Sequence, residues 1–429
     1  MKIYKNLSPS DYKTVLQRPA LDTTILFDSV KSILSDIKNN GDTAVKNYAL
    51  KFDKLDLSDF LVSEKEIQDA ENQLDTQLKK AILVAKSNIE RFHEKQKSAV
   101  EVVETMQGVK CWRKSVGIEK VGLYIPGGTA PLFSTVLMLG VPAQLAGCRE
   151  VVLCSPPTGG NIHPAVLYAA KVVGVTKIFK LGGVQAIGAM AYGTETVPQV
   201  YKIFGPGNQY VTAAKQLVNT EGVAIDMPAG PSEVMVIADE TANPIFVAAD
   251  LLSQAEHGAD SQVVLLAKSE NFVNRVLQAI DNQLLTLPRM DYAQKALDNS
   301  VAIVVENDDE AMSISNHYAP EHLILSVENA DDLAAKVINA GSVFIGHLTP
   351  ESVGDYASGT NHTLPTNGHA KAYSGVSLDS FVKKITFQRL NTEGLKNLGQ
   401  TVITMAEAEQ LKAHARAVEV RLESFNNDK

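Results

Sequence analysis

Two segments of the chain carry side chains that could bind a metal or transfer protons. In LLSQAEHGADSQ, residues 251–262, an apolar stretch of helical character ends in Gln254, Glu256 and His257. Gln254 and His257 are three residues apart and share a helix face, so they could give a metal two neighbouring ligands, whereas Glu256 points elsewhere. Because glutamine is an unusual zinc ligand and a single histidine is more often only hydrogen-bonded, this segment alone leaves both interpretations open.

The second segment is NHYAPEHL, in which Pro320 precedes Glu321 and His322 at the start of an apolar strand. Successive strand residues face opposite sides, so both side chains can serve one site only at an irregular strand end, which the proline favours. A carboxylate and an imidazole in that position can activate water and accept a hydroxyl proton. The pattern therefore predicts acid–base chemistry.

Two more places hold candidate residues with weaker support. The turn-rich segment SVGDYASGTNHTLPT, residues 352–366, carries Asp355 and His362, and long irregular loops of this kind are often functional. His362 is left open between a residue that supports a metal ligand and an ordinary loop residue. Glu409 and His414 lie on a helical pattern near the C-terminus, which taken alone favours a solvated helix face.

Three loops rich in glycine and proline follow predicted strands: YIPGGTAP at 124–131, LGGVQAIG at 181–188 and FGPGNQY at 204–210. Ligands of open parallel sheets bind beyond the carboxyl ends of the strands, where glycine lets the backbone approach a phosphate. None of the loops has the Gly-x-Gly-x-x-Gly spacing, and each could be only a tight turn that the fold requires. Three such loops in one sheet favour a nucleotide or another phosphorylated ligand.

The elements that would position these segments alternate between short apolar strands and helical stretches. Strand-like runs start at residues 121, 151, 175 and 200, and again at 234, 262, 301, 322 and 342. The first four starts are 24 to 30 residues apart, which is the length of a βαβ unit. The alternation predicts an α/β fold with two parallel sheets covered by helices.

The N-terminal and C-terminal regions have helical patterns instead. One predicted helix ends near Asn40-Gly41, and a long one begins at the capping box of Ser63 and Glu66, with its buried face running from Ile67 to Phe92. The last fifty or so residues fit poorly as a further βα unit. They are predicted to be a helical appendage that docks elsewhere.

The composition limits the classes of protein and partner. A chain of 429 residues indicates two or more domains, and a net charge of −9 without a basic cluster argues against nucleic acid. The sequence has no apolar run of about 18 residues and no secretory signal, so we expect no membrane association and a cytoplasmic location. Cys111, Cys148 and Cys154 suit a reducing compartment. Cys154 could be a nucleophile, but a buried core residue is favoured.

The motifs together resemble the histidinol dehydrogenase family. VGLYIPGG, FGPGNQYVTAAK, IDMPAGPSEVMVIAD, LLSQAEHGADSQ, NHYAPEHL and SVGDYASGTNHTLPT occur in the family's order and spacing, and the similarity covers nearly the whole chain. The resemblance implies oxidation of L-histidinol to L-histidine with two NAD and one zinc per active site, in a homodimer.

The resemblance also implies a role for particular residues. Zinc would be bound by three residues of one chain and by one of the partner subunit: Gln254, His257 and Asp355, with His414 of the partner subunit. Glu321 and His322 would be catalytic. The implied substrate contacts are Ser232, Gln254, His257, His322, Asp355, Glu409 and His414, and the implied NAD contacts are Tyr124, Gln185 and Asn208.

The domain organisation follows from the same resemblance. It implies two Rossmann-like domains, one inserted into the other: an inserted NAD-binding domain at 122–233 and a discontinuous larger α/β domain at 22–121 and 234–375. An N-terminal arm at 1–21 and a dimerisation arm at 376–429 complete the chain. From the residues alone two alternatives remain: a zinc-dependent hydrolase, which leaves the glycine loops unexplained, and a non-catalytic ligand-binding protein.

Overall fold

The computed structural model describes residues 1–19, 24–54, 59–127, 131–228 and 230–427. Three expectations fall partly outside the described residues. The predicted arm boundary lies within 20–23, the first glycine loop includes 128–130, and IDMPAGPSEV includes 229. The chain divides into two compact units. The first comprises Met1–Gln96 and Ile118–Phe381, and the second comprises Lys97–Gly117 and Val382–Lys429.

Strands and helices alternate along the described chain. The strands are β1 (Lys2–Lys5), β2 (Val102–Met106), β3 (Val109–Gly117), β4 (Lys120–Tyr124), β5 (Glu150–Cys154), β6 (Lys177–Phe179), β7 (Lys202–Phe204), β8 (Ala224–Ile225), β9 (Glu233–Ala238), β10 (Gln262–Ala267), β11 (Val301–Val304), β12 (His322–Ser326), β13 (Ser342–Ile345) and β14 (Val382–Leu390). The helices are α1 (Tyr12–Val15), α2 (Thr24–Tyr48), α3 (Glu64–Gln73), α4 (Thr76–Glu94), α5 (Phe133–Ala146), α6 (Pro164–Val172), α7 (Gly183–Tyr192), α8 (Gln209–Thr220), α9 (Pro244–Ala255), α10 (Glu270–Leu284), α11 (Met290–Asp298), α12 (Asp308–Tyr318), α13 (Ala330–Ala334), α14 (Glu351–Tyr356), α15 (Thr392–Ala408) and α16 (Lys412–Asn427). Within the described ranges, no helix is both long and apolar enough to span a membrane.

The first unit contains a parallel sheet of six strands in the order β1, β11, β10, β9, β12, β13. Its central strands are buried on both faces, in keeping with their uninterrupted apolar runs. One face packs against α9, α10 and α11, and the other against α1, α12 and α13. Within residues 1–21, which the resemblance implies to be an N-terminal arm, β1 pairs with β11 at the sheet edge.

A second parallel sheet in the same unit has the order β6, β5, β4, β7, β8. Helices α5 and α6 cover one face and carry α3 and α4 as an outer layer. Helices α7 and α8 cover the other face, and α2 packs on both of them. The predicted α/β fold with two helix-covered parallel sheets is therefore confirmed, and the N-terminal helices form its outer layer.

The long N-terminal helix predicted from residue 64 onward is two helices. The capping box of Ser63 and Glu66 is present at the start of α3, but Leu74 is extended (φ −82°, ψ 137°) and a new helix, α4, begins at Thr76. Ile82, Ala85 and Ile89 of α4 are buried, as the predicted face requires. His93 is fully buried while Phe92 is 46% exposed, so the prediction that Phe92 lies on the buried face was wrong.

The second unit is a three-stranded sheet in the order β14, β3, β2 together with α15 and α16. Strands β14 and β3 pair antiparallel along nine residues each, and β2 pairs antiparallel with β3. The helical character predicted for the C-terminal region holds for α15 and α16. The strand β14 within the same region was not predicted, because its residues are mostly exposed and lack a buried alternation.

Candidate active site

The predicted catalytic pair lies at the amino end of β12. Helix α12 ends at Tyr318, Ala319 turns the chain in a left-handed conformation (φ 55°), and Pro320 leads into the strand. His322 is the first residue of β12 and lies in register beside Val234 of β9. Glu321 and His322 are both buried, and Glu321 Oε2 is 3.7 Å from His322 Nδ1. The irregular strand end thus brings both side chains to one site.

Glu233, the first residue of β9, holds this pair through its backbone. Its N–H donates to Glu321 Oε2 (2.8 Å), and its carbonyl oxygen is 3.1 Å from His322 Nδ1. That contact assigns the proton to Nδ1. His322 Nε2 is buried and has no hydrogen-bond partner among the described residues, so it is the nitrogen that can accept a proton.

An ion pair holds the Glu233 side chain in place. Arg18 Nε and Nη2 donate to the two carboxylate oxygens at 2.5 and 2.9 Å, and the backbone N–H of Asn367 donates to Oε1 (2.8 Å). Arg18 also stacks on the Tyr318 ring, 3.8 Å from the centroid, and donates to the Tyr318 carbonyl oxygen. Arg18 and Glu233 therefore support the strand end that carries the backbone contacts to the catalytic pair.

Two carboxylates of α14 face His322. Asp355 Oδ1 lies 3.6 Å from Nε2, and Glu351 Oε1 lies 4.0 Å from Nδ1. His322, Glu351 and Asp355 each offer a ligand atom, and these atoms all lie within 4.8 Å of one another. With Glu321, three carboxylates surround one imidazole, and a divalent cation would compensate the excess negative charge. The donor set therefore fits a metal ion.

The pKa values of these groups are shifted by burial and by each other. Burial raises the pKa of Glu321 to about 8, and the charge of His322 offsets only part of this effect. Burial also raises the pKa of Glu351. Burial by itself disfavours a charged His322, but Glu351, Glu321 and Asp355 outweigh it and raise its pKa. A carboxyl group that titrates near neutrality and an imidazole stabilised as a cation are suited to proton transfer.

The structure brings two further predicted metal ligands towards this centre. Gln254, in the last turn of α9, is fully buried, and its amide satisfies its neighbours when the nitrogen is assigned to the position that faces Glu351, where it donates to Glu351 Oε2 (3.1 Å). Helix α14, which carries Asp355, packs against α9. His257 follows Glu256, the C-cap of α9, and its side chain is exposed. It lies close enough to Asp355 for its charge to help lower the pKa of that carboxyl, whereas burial raises it.

Glu409 and His414 belong to the second unit. Glu409 caps the end of α15, and His414 lies in the first turn of α16, so the two are on different helices. Both side chains are exposed. Their contribution to the active site of a partner subunit stays a prediction.

Two other predicted residues lie beside the centre. Ser232 directly precedes Glu233, is half-buried, and accepts a hydrogen bond from the backbone N–H of Gln262 through its carbonyl oxygen (3.2 Å). His362 has its Nδ1 2.8 Å from the Asp355 carbonyl oxygen and its Nε2 3.0 Å from Thr135 Oγ1. His362 therefore anchors the segment that carries Asp355.

The three predicted cofactor contacts line one cavity of about 990 Å³. Tyr124, Gln185 and Asn208 all follow or end strands at the carboxyl edge of the five-stranded sheet, where the sequence placed a nucleotide site. The N–H of Gly183 donates to the Tyr124 hydroxyl (3.0 Å), which ties two glycine loops together. Asn208 Oδ1 caps α8 by accepting from two backbone N–H groups, so its amide nitrogen remains for a ligand.

A buried ion pair holds the third glycine loop. Lys215 and Asp226 form a salt bridge, and their side chains are 6% and 2% exposed. Lys215 Nζ donates to the Gly205 carbonyl oxygen (2.8 Å), and Asp226 Oδ2 accepts from the Gly205 N–H (2.8 Å). Gly205 has φ 121°, and a Cβ there would lie 2.0 Å from the Tyr124 carbonyl oxygen. Only glycine fits at this position between two cofactor loops.

Several residues of the site were not found from the sequence. Glu351 precedes Asp355 by four residues, so a helical reading of PESVGDY would have placed both on one face. Asp53 lines the cofactor cavity and accepts from Gln185 Nε2 (3.0 Å), but no local pattern signals it. Arg18 and Glu233 are 215 residues apart and come into contact only in the tertiary structure, so no sequence pattern indicated their ion pair. Cys154 is fully buried, and burial raises the pKa of its thiol, so the core interpretation is supported.

The fold and the site define an α/β enzyme with a buried carboxylate–histidine centre and a cavity lined by glycine loops. A family model described as histidinol dehydrogenase matches residues 16–422. The chain belongs to the histidinol dehydrogenase family. It is therefore an oxidoreductase; the family supports a dehydrogenase and not the hydrolase alternative.

Individual relatives agree along the full length. The histidinol dehydrogenase of Bacteroides thetaiotaomicron is 62% identical over 426 residues, covering 99% of this chain and all of the relative. The chloroplastic histidinol dehydrogenase of Arabidopsis thaliana is 54% identical, covering 99% of this chain and 92% of the relative. The crystal structure of histidinol dehydrogenase from Elizabethkingia anophelis matches with a TM-score of 0.97 and 57% identity, covering 99% of both chains.

Proposed function

We propose that the chain oxidises L-histidinol to L-histidine in two hydride transfers to two molecules of NAD, as the last step of histidine biosynthesis. The observation that carries this proposal is the buried pair of Glu321 and His322, held by the Glu233 backbone beside Asp355. Converting a primary alcohol to an acid requires two oxidations with addition of water between them. The pair offers one group for each task.

Zinc would be bound by Gln254, His257 and Asp355, together with His414 of the partner subunit. Support comes from the contact between Gln254 and Glu351, which places Gln254 beside this centre, and from the negative charge around His322. When bound, zinc would orient the imidazole and amine of the substrate. A second possible donor set is His322, Glu351 and Asp355, which has Asp355 in common with the first. Glu351 belongs only to the second set, so replacing Glu351 alone distinguishes the two.

In the first oxidation, His322 would accept the hydroxyl proton at Nε2 while hydride passes from the substrate carbon to the nicotinamide. The carboxylates around the imidazole stabilise the cation that this transfer produces. The product is L-histidinaldehyde, which stays bound. Ser232 and the zinc ligands would contact the substrate at this centre.

In the second oxidation, Glu321 would take a proton from water, which attacks the aldehyde carbon to form a hydrate. The pKa of Glu321, raised to about 8 by burial, suits a carboxylate that both accepts and releases protons near neutral pH. The hydrate then loses hydride to a second NAD and becomes the carboxylate. One water and two oxidised cofactors are consumed, and two reduced cofactors and three protons are released.

NAD would bind in the cavity lined by Tyr124, Gln185 and Asn208 and supply the hydride acceptor. Asp53, in the same cavity, offers a carboxylate for hydrogen bonds from hydroxyl groups of the cofactor. The C-terminal arm would place Glu409 and His414 in the partner subunit's site, with Glu409 pairing the substrate amine. We also place the enzyme in the cytoplasm, which its three free cysteines suit.

The test is an assay of the purified protein with L-histidinol and NAD. We expect two equivalents of reduced nicotinamide per histidinol consumed, zinc in the purified protein by elemental analysis, and loss of both zinc and activity after chelation. Sedimentation should show a dimer. Histidinol consumption without nicotinamide reduction would contradict the proposal.

A further inference from the structure

A second cavity in the first unit, of about 600 Å³, is separate from the cofactor cavity. Residues of α1, the end of α12 and the segment around His369 line it, together with the start of α8. The turn into α8 divides the two cavities: Gly207 and Gln209 line this one, whereas Asn208 and Tyr210 line the cofactor cavity. The two share no described lining residue.

The lining of this second cavity is positively charged. Among the described residues that form it are Lys13, Arg18, Lys371, His317 and His369, and none of the described lining residues is Asp or Glu. This contrasts with the whole chain, in which Asp and Glu outnumber Lys and Arg by 49 to 40. Like charges gathered in a concave wall cost free energy unless an anion offsets them.

The cations of this wall are largely unpaired. In the described part of the chain, no carboxylate forms a salt bridge with Lys13 or Lys371, and Arg18 is the one lining cation seen in an ion pair. Partial burial and the charges of Lys371 and Arg18 lower the pKa of His317, which disfavours its charged form. The positive charge available to a ligand is therefore that of Lys13 and Lys371.

One face of α8 adds polar groups to this wall. Gln209, Thr212 and Gln216 lie three and four residues apart on that face and line the cavity with amide and hydroxyl groups that can donate hydrogen bonds. Apolar side chains of Leu16, Pro228 and Pro231 line another part of the wall. A ligand that satisfies both parts carries concentrated negative charge on an organic body.

We propose that this cavity is a binding site for a small organic phosphate of about mononucleotide size. Lys13 and Lys371, which have no carboxylate partner in the described part of the chain, match the double charge of a phosphate monoester, and the volume lies in the usual range of small-molecule sites, about 300 to 1,000 Å³. The apolar part of the wall receives the organic group. The site shares no described lining residue with the proposed NAD cavity, and Arg18 in its wall also pairs with Glu233 beside the catalytic centre.

Calorimetric titration of the full-length protein at low salt tests the proposal, with uridine 5′-monophosphate as the probe and inorganic phosphate and uridine as comparisons. We expect the nucleotide to bind at least tenfold more tightly than either comparison, and saturating NAD to leave its affinity unchanged. Lys13→Glu and Lys371→Glu should each weaken binding at least tenfold. The matched control is Lys295→Glu, an exposed charge reversal on α11 that should have no effect.

Three outcomes would overturn the site. The nucleotide could bind no better than uridine, in which case the phosphate is not recognised. Saturating NAD could displace the nucleotide, which would place binding in the cofactor cavity. Both lysine variants could bind as tightly as the parent protein while remaining folded by circular dichroism. None of these measurements uses histidinol, so they are independent of the proposed reaction.

Discussion

Replacing Arg18 by Met should destabilise the protein and slow catalysis, because it leaves the Glu233 carboxylate buried without its cation. The Glu233 side chain is 3% exposed and that of Arg18 is 19% exposed, so water cannot substitute for the lost guanidinium. The same substitution removes the donors at 2.5 and 2.9 Å, and of the described residues only Asn367 still donates to the carboxylate, through its N–H. Met keeps apolar contact with the Tyr318 ring, which isolates the effect of charge.

The magnitude follows from the burial of the pair. Removing one partner of a buried ion pair costs about 3 to 5 kcal/mol, because the remaining charge is uncompensated. For a chain longer than 250 residues, each kcal/mol lowers Tm by about 2 °C, so we expect a fall on the order of 6 to 10 °C. The turnover number should fall as well, since the Glu233 backbone holds both Glu321 and His322.

Calorimetric unfolding and steady-state kinetics of the variant measure both effects. The control is Lys336→Met, which removes a surface pair with Asp309 whose side chains are 50% and 83% exposed, so it should leave the Tm almost unchanged. Combining Arg18→Met with Glu233→Leu removes both charges and should restore most of the stability. An Arg18→Met protein that unfolds within 1 °C (about 0.5 kcal/mol) of the parent would refute the assigned role of the pair.

Further substitutions separate the other roles. Glu321→Gln should retain zinc and the first oxidation but slow aldehyde oxidation by about 10² to 10⁴; loss of zinc from this variant would contradict its assignment as a base. Asp355→Ala should lose zinc and activity together, as measured by elemental analysis and NADH formation, and an active zinc-free protein would disprove the ligand role. Lys215→Met should raise KM for NAD more than KM for histidinol, because it frees the Gly205 carbonyl; equal changes would point to general destabilisation. Cys154→Ala should keep the parental rate, and a large loss in a folded protein would restore the thiol as a nucleophile.

Much of the fold could be predicted because its signals are local. Parallel strands buried on both faces require runs such as VMVIA and QVVLLA, and these runs are visible without any tertiary information. Glycine loops after strands indicated the cofactor edge for the same reason. The predictions failed where the pattern was short or ambiguous: β1 and β14 are stabilised by pairing with distant strands, and the break at Leu74 interrupts an unbroken helical periodicity.

The sequence by itself determined which chemistry was available, because residue types and their spacing along one element depend only on the local chain. It supplied Glu321 beside His322, Gln254 near His257, and glycine where Gly205 meets the Tyr124 backbone. The tertiary structure alone decided which groups support that chemistry. Arg18 and Glu233 are 215 residues apart, and Asp53 and Gln185 are 132 residues apart. Contacts of this kind leave no local pattern, since they depend on how sheets and helices pack after each element has formed.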